Sequence, residues 1–133
     1  MHAHCQCGQL SAVAHGEYGS VVCHCTACQR RSGSPFGMAL YFDAANVTIS
    51  GEATEYERSA DSGLPFTSGF CPVCGTTLYL KTARHPGGIG ITAGTLVGKP
   101  IGPPMRSVFE ENRHDWVTLP PETARFPRGR NDK

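Results

Sequence analysis

Seven cysteines fall in three short-spaced groups: Cys5-Gln6-Cys7, Cys23-His24-Cys25-Thr26-Ala27-Cys28 and Cys71-Pro72-Val73-Cys74. No other feature of the 133 residues narrows the fold so far. An odd count cannot be fully paired in intramolecular disulfides. C-x-C and C-x-x-C elements put two thiolates within reach of one ion, and the turn between them can aim backbone N–H groups at the sulfurs. Zinc takes four ligands in a tetrahedron, with thiolate sulfur about 2.3 Å away. One short element supplies two ligands, so a closed site needs two elements.

Counting suggests a division. Cys5, Cys7, Cys71 and Cys74 make a complete four-ligand site that clamps the start of the chain onto its middle. Cys23, Cys25 and Cys28 are then three ligands with one position open, the pattern of catalytic zinc. Spacing leaves another division open, in which Cys25-x-x-Cys28 joins Cys71-x-x-Cys74. His4, His24, His85 or His114 could also close the three-cysteine site as an inert fourth ligand, giving two structural sites and no chemistry. A thioredoxin-like redox pair would need a βαβ context that the sequence does not show. Seven unconnected buried thiols would make the clustering a coincidence.

Composition excludes several classes. Hydrophobic residues are 39% and charged residues 17%, so the chain is neither disordered nor a coiled coil. Twelve Lys and Arg against eleven Asp and Glu give a net charge of +1, without the basic excess of a general nucleic-acid binder. No apolar run approaches the ~18 residues of a membrane span. The N-terminus lacks a signal-peptide pattern, so a cytoplasmic setting with reduced thiols is expected.

Short runs bounded by Gly, Pro, Asn or Ser predict strands at 10–15, 20–23, 36–42, 47–50, 54–58, 76–81 and 89–92, with a weaker one at 105–110. One helical turn is expected at 25–31. With 16 Gly and 10 Pro, long helices are not expected. The fold class is therefore mainly antiparallel β, as two or three small sheets packed around the metal sites. Residues 1–123 form a single domain in this reading, and 124–133 a flexible basic tail.

The order of motifs carries a family likeness. Cys5-Gln6-Cys7-Gly8 comes first, then Cys23-His24-Cys25-Thr26-Ala27-Cys28 with Arg30-Arg31-Ser32-Gly33-Ser34. Phe70-Cys71-Pro72-Val73-Cys74-Gly75, Ala93-Gly94-Thr95-Leu96 and a late Arg113-x-x-Trp116 follow. Over residues 3–119 the chain resembles the glutathione-dependent formaldehyde-activating enzyme family, whose domain also occurs in centromere protein V. The resemblance implies a β-tent of small antiparallel sheets and two Zn²⁺ ions. One would be structural on Cys5, Cys7, Cys71 and Cys74; the other would be catalytic on Cys23, Cys25 and Cys28, with an exchangeable fourth ligand. The implied reaction condenses formaldehyde with glutathione, and its reverse is that of a carbon–sulfur lyase. Many members continue the Gly-Thr-Leu element with acidic residues, where this chain has Val97-Gly98-Lys99, and carry a His where this chain has Ser107.

Three thiolates make a formally anionic site, so ligand exchange suits it better than hydrolysis by zinc-bound hydroxide. The expected partner is a small thiol or thiol adduct such as glutathione. His24 lies between two ligands and is a candidate acid or base, or a hydrogen-bonding prop behind the metal. Arg30 and Arg31 are candidates for substrate carboxylates, which suit the planar guanidinium fork. Ser32, Gly33 and Ser34 could offer N–H groups near the metal or simply lead into a strand. Arg113 and Trp116 are read as packing features, and Phe66 and Phe70 as core. The competing classes are a non-catalytic two-zinc module for a protein partner, and a thiol or zinc buffer.

Overall fold

The computed structural model describes residues 1–98 and 100–130. Its elements run β1 (His2–His4), β2 (Ser11–Ala14), β3 (Tyr18–Cys23), α1 (Thr26–Ser32), β4 (Gly37–Asp43), β5 (Val47–Ser50) and β6 (Thr54–Ser59). β7 (Pro65–Phe70), β8 (Thr77–Thr82), β9 (Gly88–Thr92), β10 (Arg106–Val108) and β11 (Ala124–Arg125) follow, with three short 3-10 turns between. The fold is mainly β, as expected. No helix of the described residues is long and apolar enough to cross a membrane. The chain divides into two compact units: Met1–Tyr18 with Leu40–Ile101, and Gly19–Ala39 with the residues from Gly102 onward.

In the first unit, β1, β2 and β5 form an antiparallel sheet with Ala3 opposite Ala12 and Ala12 opposite Ile49. A second sheet runs from the later half of β4 through β9, β8 and β7 to β6. Leu10, Ala12, Ala14, Leu40, Phe42, Leu78, Leu80 and Ile91 are buried apolar residues of this unit. β6 is exposed along nearly its whole length and carries Glu55, Glu57 and Arg58. Charges of this kind keep an edge strand from pairing with another chain.

Two glycines make room for tyrosines in this sheet. Gly69 on β7 faces Tyr79 on β8, and a Cβ at Gly69 would collide with the Tyr79 ring. A Cβ at Gly90 would lie 2.7 Å from the ring of Tyr41, which stacks on His85 at 4.0 Å between centroids. Seated over Gly69, Tyr79 sends its hydroxyl to Glu55 Oε2 at 2.6 Å. Burial and that bond push the phenol up, and the same bond, with Lys81 nearby, holds the Glu55 carboxyl below its usual range.

The second unit holds a different arrangement. β10 runs parallel to β3, with Ser107 opposite Val22 and Val108 opposite Cys23. β11 runs parallel to β10 on its other side. These parallel pairs depart from the antiparallel expectation. Between β10 and β11, residues 109–123 intervene and bring the chain back in the same direction. The segment expected to be a flexible tail is hydrogen-bonded here: Phe126 N–H donates to Ser107 O, and Arg128 O accepts from Phe109 N–H. Its last three residues, 131–133, lie outside the described residues, as does Lys99.

β5 spans the expected residues, and β2, β3, β4, β6, β8, β9 and β10 lie within a few positions of theirs. β1, β7 and β11 are not among the expected strands. β7 opens on Pro65 and contains Gly69, poor strand formers, and its extended form comes from pairing with β6 on one side and β8 on the other. Phe66 and Phe70, expected in the core, are half-buried, and the Arg58 guanidinium covers Phe66 at 4.5 Å.

Gly69→Ala should destabilise the fold by about 1–3 kcal/mol through overpacking against Tyr79, read as a lower midpoint in urea unfolding. Because the Glu55 pKa is lowered on folding, its contribution is complete above the ordinary carboxylate value and disappears as pH falls through the lowered one. The stability gap between the wild type and Tyr79→Phe should therefore shrink on acidification below about pH 4. Urea midpoints measured from pH 3 to 7 check this.

Candidate metal centres and their surroundings

Two turns of similar design make the first centre. Cys5 N–H donates to Leu10 O at 2.9 Å, and Gly8 N–H returns to Cys5 O at 3.1 Å. Likewise, Cys71 N–H donates to Thr76 O at 2.9 Å, and Gly75 N–H returns to Cys71 O at 2.8 Å. Gly8 and Gly75 have φ of 85° and 80°, the left-handed region that glycine enters without penalty. This is why a Gly follows each cysteine pair.

None of the seven cysteines is in a disulfide. Cys5, Cys7, Cys71 and Cys74 bring their sulfurs within 4.8 Å of one another. The Cys5–Cys7 and Cys7–Cys71 sulfur pairs are 3.6 and 3.7 Å apart. A tetrahedral ion with metal–sulfur bonds of about 2.3 Å has sulfur–sulfur edges of about 3.8 Å, so the donor set fits one. Donors already face the sulfurs: Leu10 N–H to Cys5 at 3.4 Å, Val73 N–H to Cys71 at 3.4 Å and Gln9 Nε2 to Cys71 at 3.0 Å.

These donors divide the thiols by acidity. The Thr76 hydroxyl, 3.3 Å from the sulfur, together with backbone N–H groups brings Cys74 down to about 5. At Cys71 burial opposes ionisation, but the Cys74, Gln9 and Val73 donors outweigh it and the pKa falls. Cys7 receives help from the Gln9 backbone, yet burial and the neighbouring thiols push it up to about 11.

The second centre is Cys23, Cys25 and Cys28, whose sulfurs also lie within 4.8 Å of one another. The structure thus brings together the two groups that counting suggested. Cys25 caps α1, its sulfur accepting from Cys28 N–H at 3.3 Å. Among the described residues this group comprises the three thiols alone. His4 Nδ1 bonds Cys5 O, His85 stacks on Tyr41 and His114 Nε2 bonds Gln29 Oε1. The Cys23 thiol is pushed up by Cys25 and Cys28, then by burial. At Cys28 contact with Cys23 favours the thiolate, but Cys25 and burial outweigh it, while the charge of Arg31 pulls the other way. Three adjacent thiols resist joint ionisation, and a bound cation is what would relieve it.

His24 is fully buried and held at three points. Its N–H donates to Val108 O at 3.1 Å, its carbonyl accepts from Gln29 Nε2 at 2.8 Å, and its Nε2 meets Ser107 Oγ at 2.9 Å. Ser107 donates to Glu110 Oε2 at 2.6 Å. With its hydroxyl proton on the carboxylate, Ser107 accepts from His24, so Nε2 carries the ring proton. Nδ1 is then a bare, buried lone pair without a partner among the described residues. Burial lowers the His24 pKa; Glu110 opposes this, and Arg113, His114 and Arg125 reinforce it. Glu110 reaches Ser107 because Phe109 takes the left-handed conformation, φ 56°, and turns the chain back. Arg113 and Arg125 both pair with the other Glu110 oxygen.

Other expected residues separate. Arg30 is exposed, whereas Arg31 is half-buried beside Gly37. Gly33 and Ser34 both donate to Gln29 O and so cap α1. Arg113 is a fold feature, donating to Val117 O at 2.8 Å. Trp116, expected to pack, is 70% exposed with one face on His114. Spacing gave no sign of the roles of Ser107, Glu110 and Gln29, which lie far from the cysteines they serve or have no distinctive pattern.

A family profile described as glutathione-dependent formaldehyde-activating enzyme matches residues 1–112. The chain belongs to this family. All seven cysteines, Ser107 and Glu110 lie inside the match. Membership in a glutathione-dependent formaldehyde-activating family implies glutathione or a thiol adduct as the substrate class. A crystal structure of a Rhodobacter sphaeroides protein is similar in fold, with a TM-score of 0.60 and 21% identity over 75% of this chain and 91% of that one. No curated protein matches the chain.

In this family member the Ser107 hydroxyl is a buried link between His24 and Glu110. Ser107→Ala should cost about 1–2 kcal/mol in urea unfolding, because Glu110 Oε2, 3.3 Å from His24 Nε2, replaces the lost acceptor only in part.

Proposed function

We propose that the chain is a carbon–sulfur lyase-like enzyme that forms or cleaves the adduct of a small aldehyde with a glutathione-type thiol. In the addition direction the thiol sulfur attacks the carbonyl carbon. A C–S bond forms, and the thiol proton ends on the oxygen. The observation that carries this reading is a cluster of three thiols, in addition to a full set of four, with no fourth ligand among the described residues.

Both ions are proposed to be zinc, in a cytoplasmic β-tent domain. Cys5, Cys7, Cys71 and Cys74 would hold a structural ion. Cys23, Cys25 and Cys28 would hold the second, where a thiol can enter. When bound there, zinc supplies a site at which thiol ligands exchange and are stabilised as thiolates. His24 is the proposed acid–base group, with Nδ1 as its accepting atom and Ser107 fixing the tautomer. Arg30 and Arg31 are the cations on α1 available to substrate carboxylates.

Elemental analysis of purified protein, before and after mild chelation and with or without reduced glutathione, tests the proposal. About two zinc ions per chain are expected, one of them labile and protected or displaced by the thiol. Cys23→Ser should retain only about one. Two ions inert to both treatments would sink the enzyme reading and favour a binding module for a protein partner.

A further inference from the structure

Arg31 lies in the last turn of α1, three residues after Cys28. Its side chain folds into a notch left open by Gly37, the first residue of β4. A Cβ added to Gly37 would sit 2.6 Å from Arg31 Nη2 and 3.4 Å from Cys28 Cβ. Those two distances put the guanidinium within about 6 Å of Cys28 Cβ. Its Nε is shielded from solvent and has no hydrogen-bond partner. No carboxylate among the described residues pairs with it, whereas Arg113 and Arg125, in the same unit, share Glu110. Arg30, one position earlier, faces solvent.

A guanidinium presents five donors in a planar fork that matches a carboxylate. Shielding one donor without an acceptor is unfavourable unless something else supplies one. Here the cation sits next to a cysteine of the three-thiol cluster. We propose that Arg31 receives the anionic group of the incoming thiol, so that the site favours thiols that carry a carboxylate over neutral ones. The inference rests on the reading that a thiol enters the three-cysteine site. Glycine at position 37 is part of the device, because any side chain there would take the space of the guanidinium.

Calorimetric titration of protein loaded with two equivalents of Zn²⁺ tests this, with 3-mercaptopropionate and its neutral amide as probes. The carboxylate is expected to bind about ten- to a hundredfold tighter than the amide. Arg31→Met should reduce that preference to about threefold or less, mainly by weakening the carboxylate. Arg31→Lys keeps the charge without the fork and should retain part of the preference. Equal binding of the two probes to wild type, or an undiminished preference in Arg31→Met, would overturn the proposal and leave thiol entry intact. Equal binding is also what a guanidinium that merely offsets the charge of the thiolates would give. Failure of both probes to bind would overturn the proposal and the enzyme reading together. The wild-type comparison stands even where a variant fails to fold.

Discussion

Thiols held within 4.8 Å of one another cannot all ionise unless a cation shares the space. Much of this molecule answers that constraint. The two turns of the four-thiol centre are closed by backbone bonds and left-handed glycines, so their N–H groups face the sulfurs before any ion arrives. Gln9 ties its centre to the neighbouring chain by donating both to Cys71 and to Glu52 O at 2.6 Å. The irregularity in the β7–β8 register at Gly69 and Phe70 comes immediately before the Cys71 turn, where the ladder gives way to the loop that carries the sulfurs.

The three-thiol centre meets the same constraint with fewer ligands and more support. Its cysteines straddle the end of β3 and the start of α1. His24, between the first two, is pinned through its backbone to Val108 and Gln29 and through its ring to Ser107. Gln29 is itself held by His114. The Glu110 carboxylate orients Ser107, and two arginines hold Glu110. A Glu110 carboxylate oxygen accepts the Ser107 hydroxyl proton, and this fixes the direction of the hydrogen bond back to His24. Family membership accounts for the cysteines; this supporting network is built from residues the motifs do not contain.

The cysteine groups were legible because ligand chemistry imposes short spacings, and those spacings survive any fold. Most strands were legible because β-branched and aromatic runs between glycines and prolines have few other uses. β7 was not, since Pro65 and Gly69 are poor strand formers and pairing on both sides overrides them. β11 was not, since two residues at the start of a basic stretch carry no pattern. The partnership of Ser107 with His24 was invisible for a related reason. They are 83 positions apart, and only the parallel pairing of β10 with β3 brings them together.

The sequence by itself determined the donor atoms: seven thiols in three groups, a glycine after each pair in the first centre, and two arginines after the last cysteine of the second. Tertiary structure decided which groups share a centre, because that depends on which turns face each other. It also decided that Arg30 is exposed and Arg31 half-buried. The two residues are adjacent and chemically identical, but α1 turns by roughly 100° per residue. One guanidinium therefore meets water, and the other meets the space that Gly37 leaves beside Cys28.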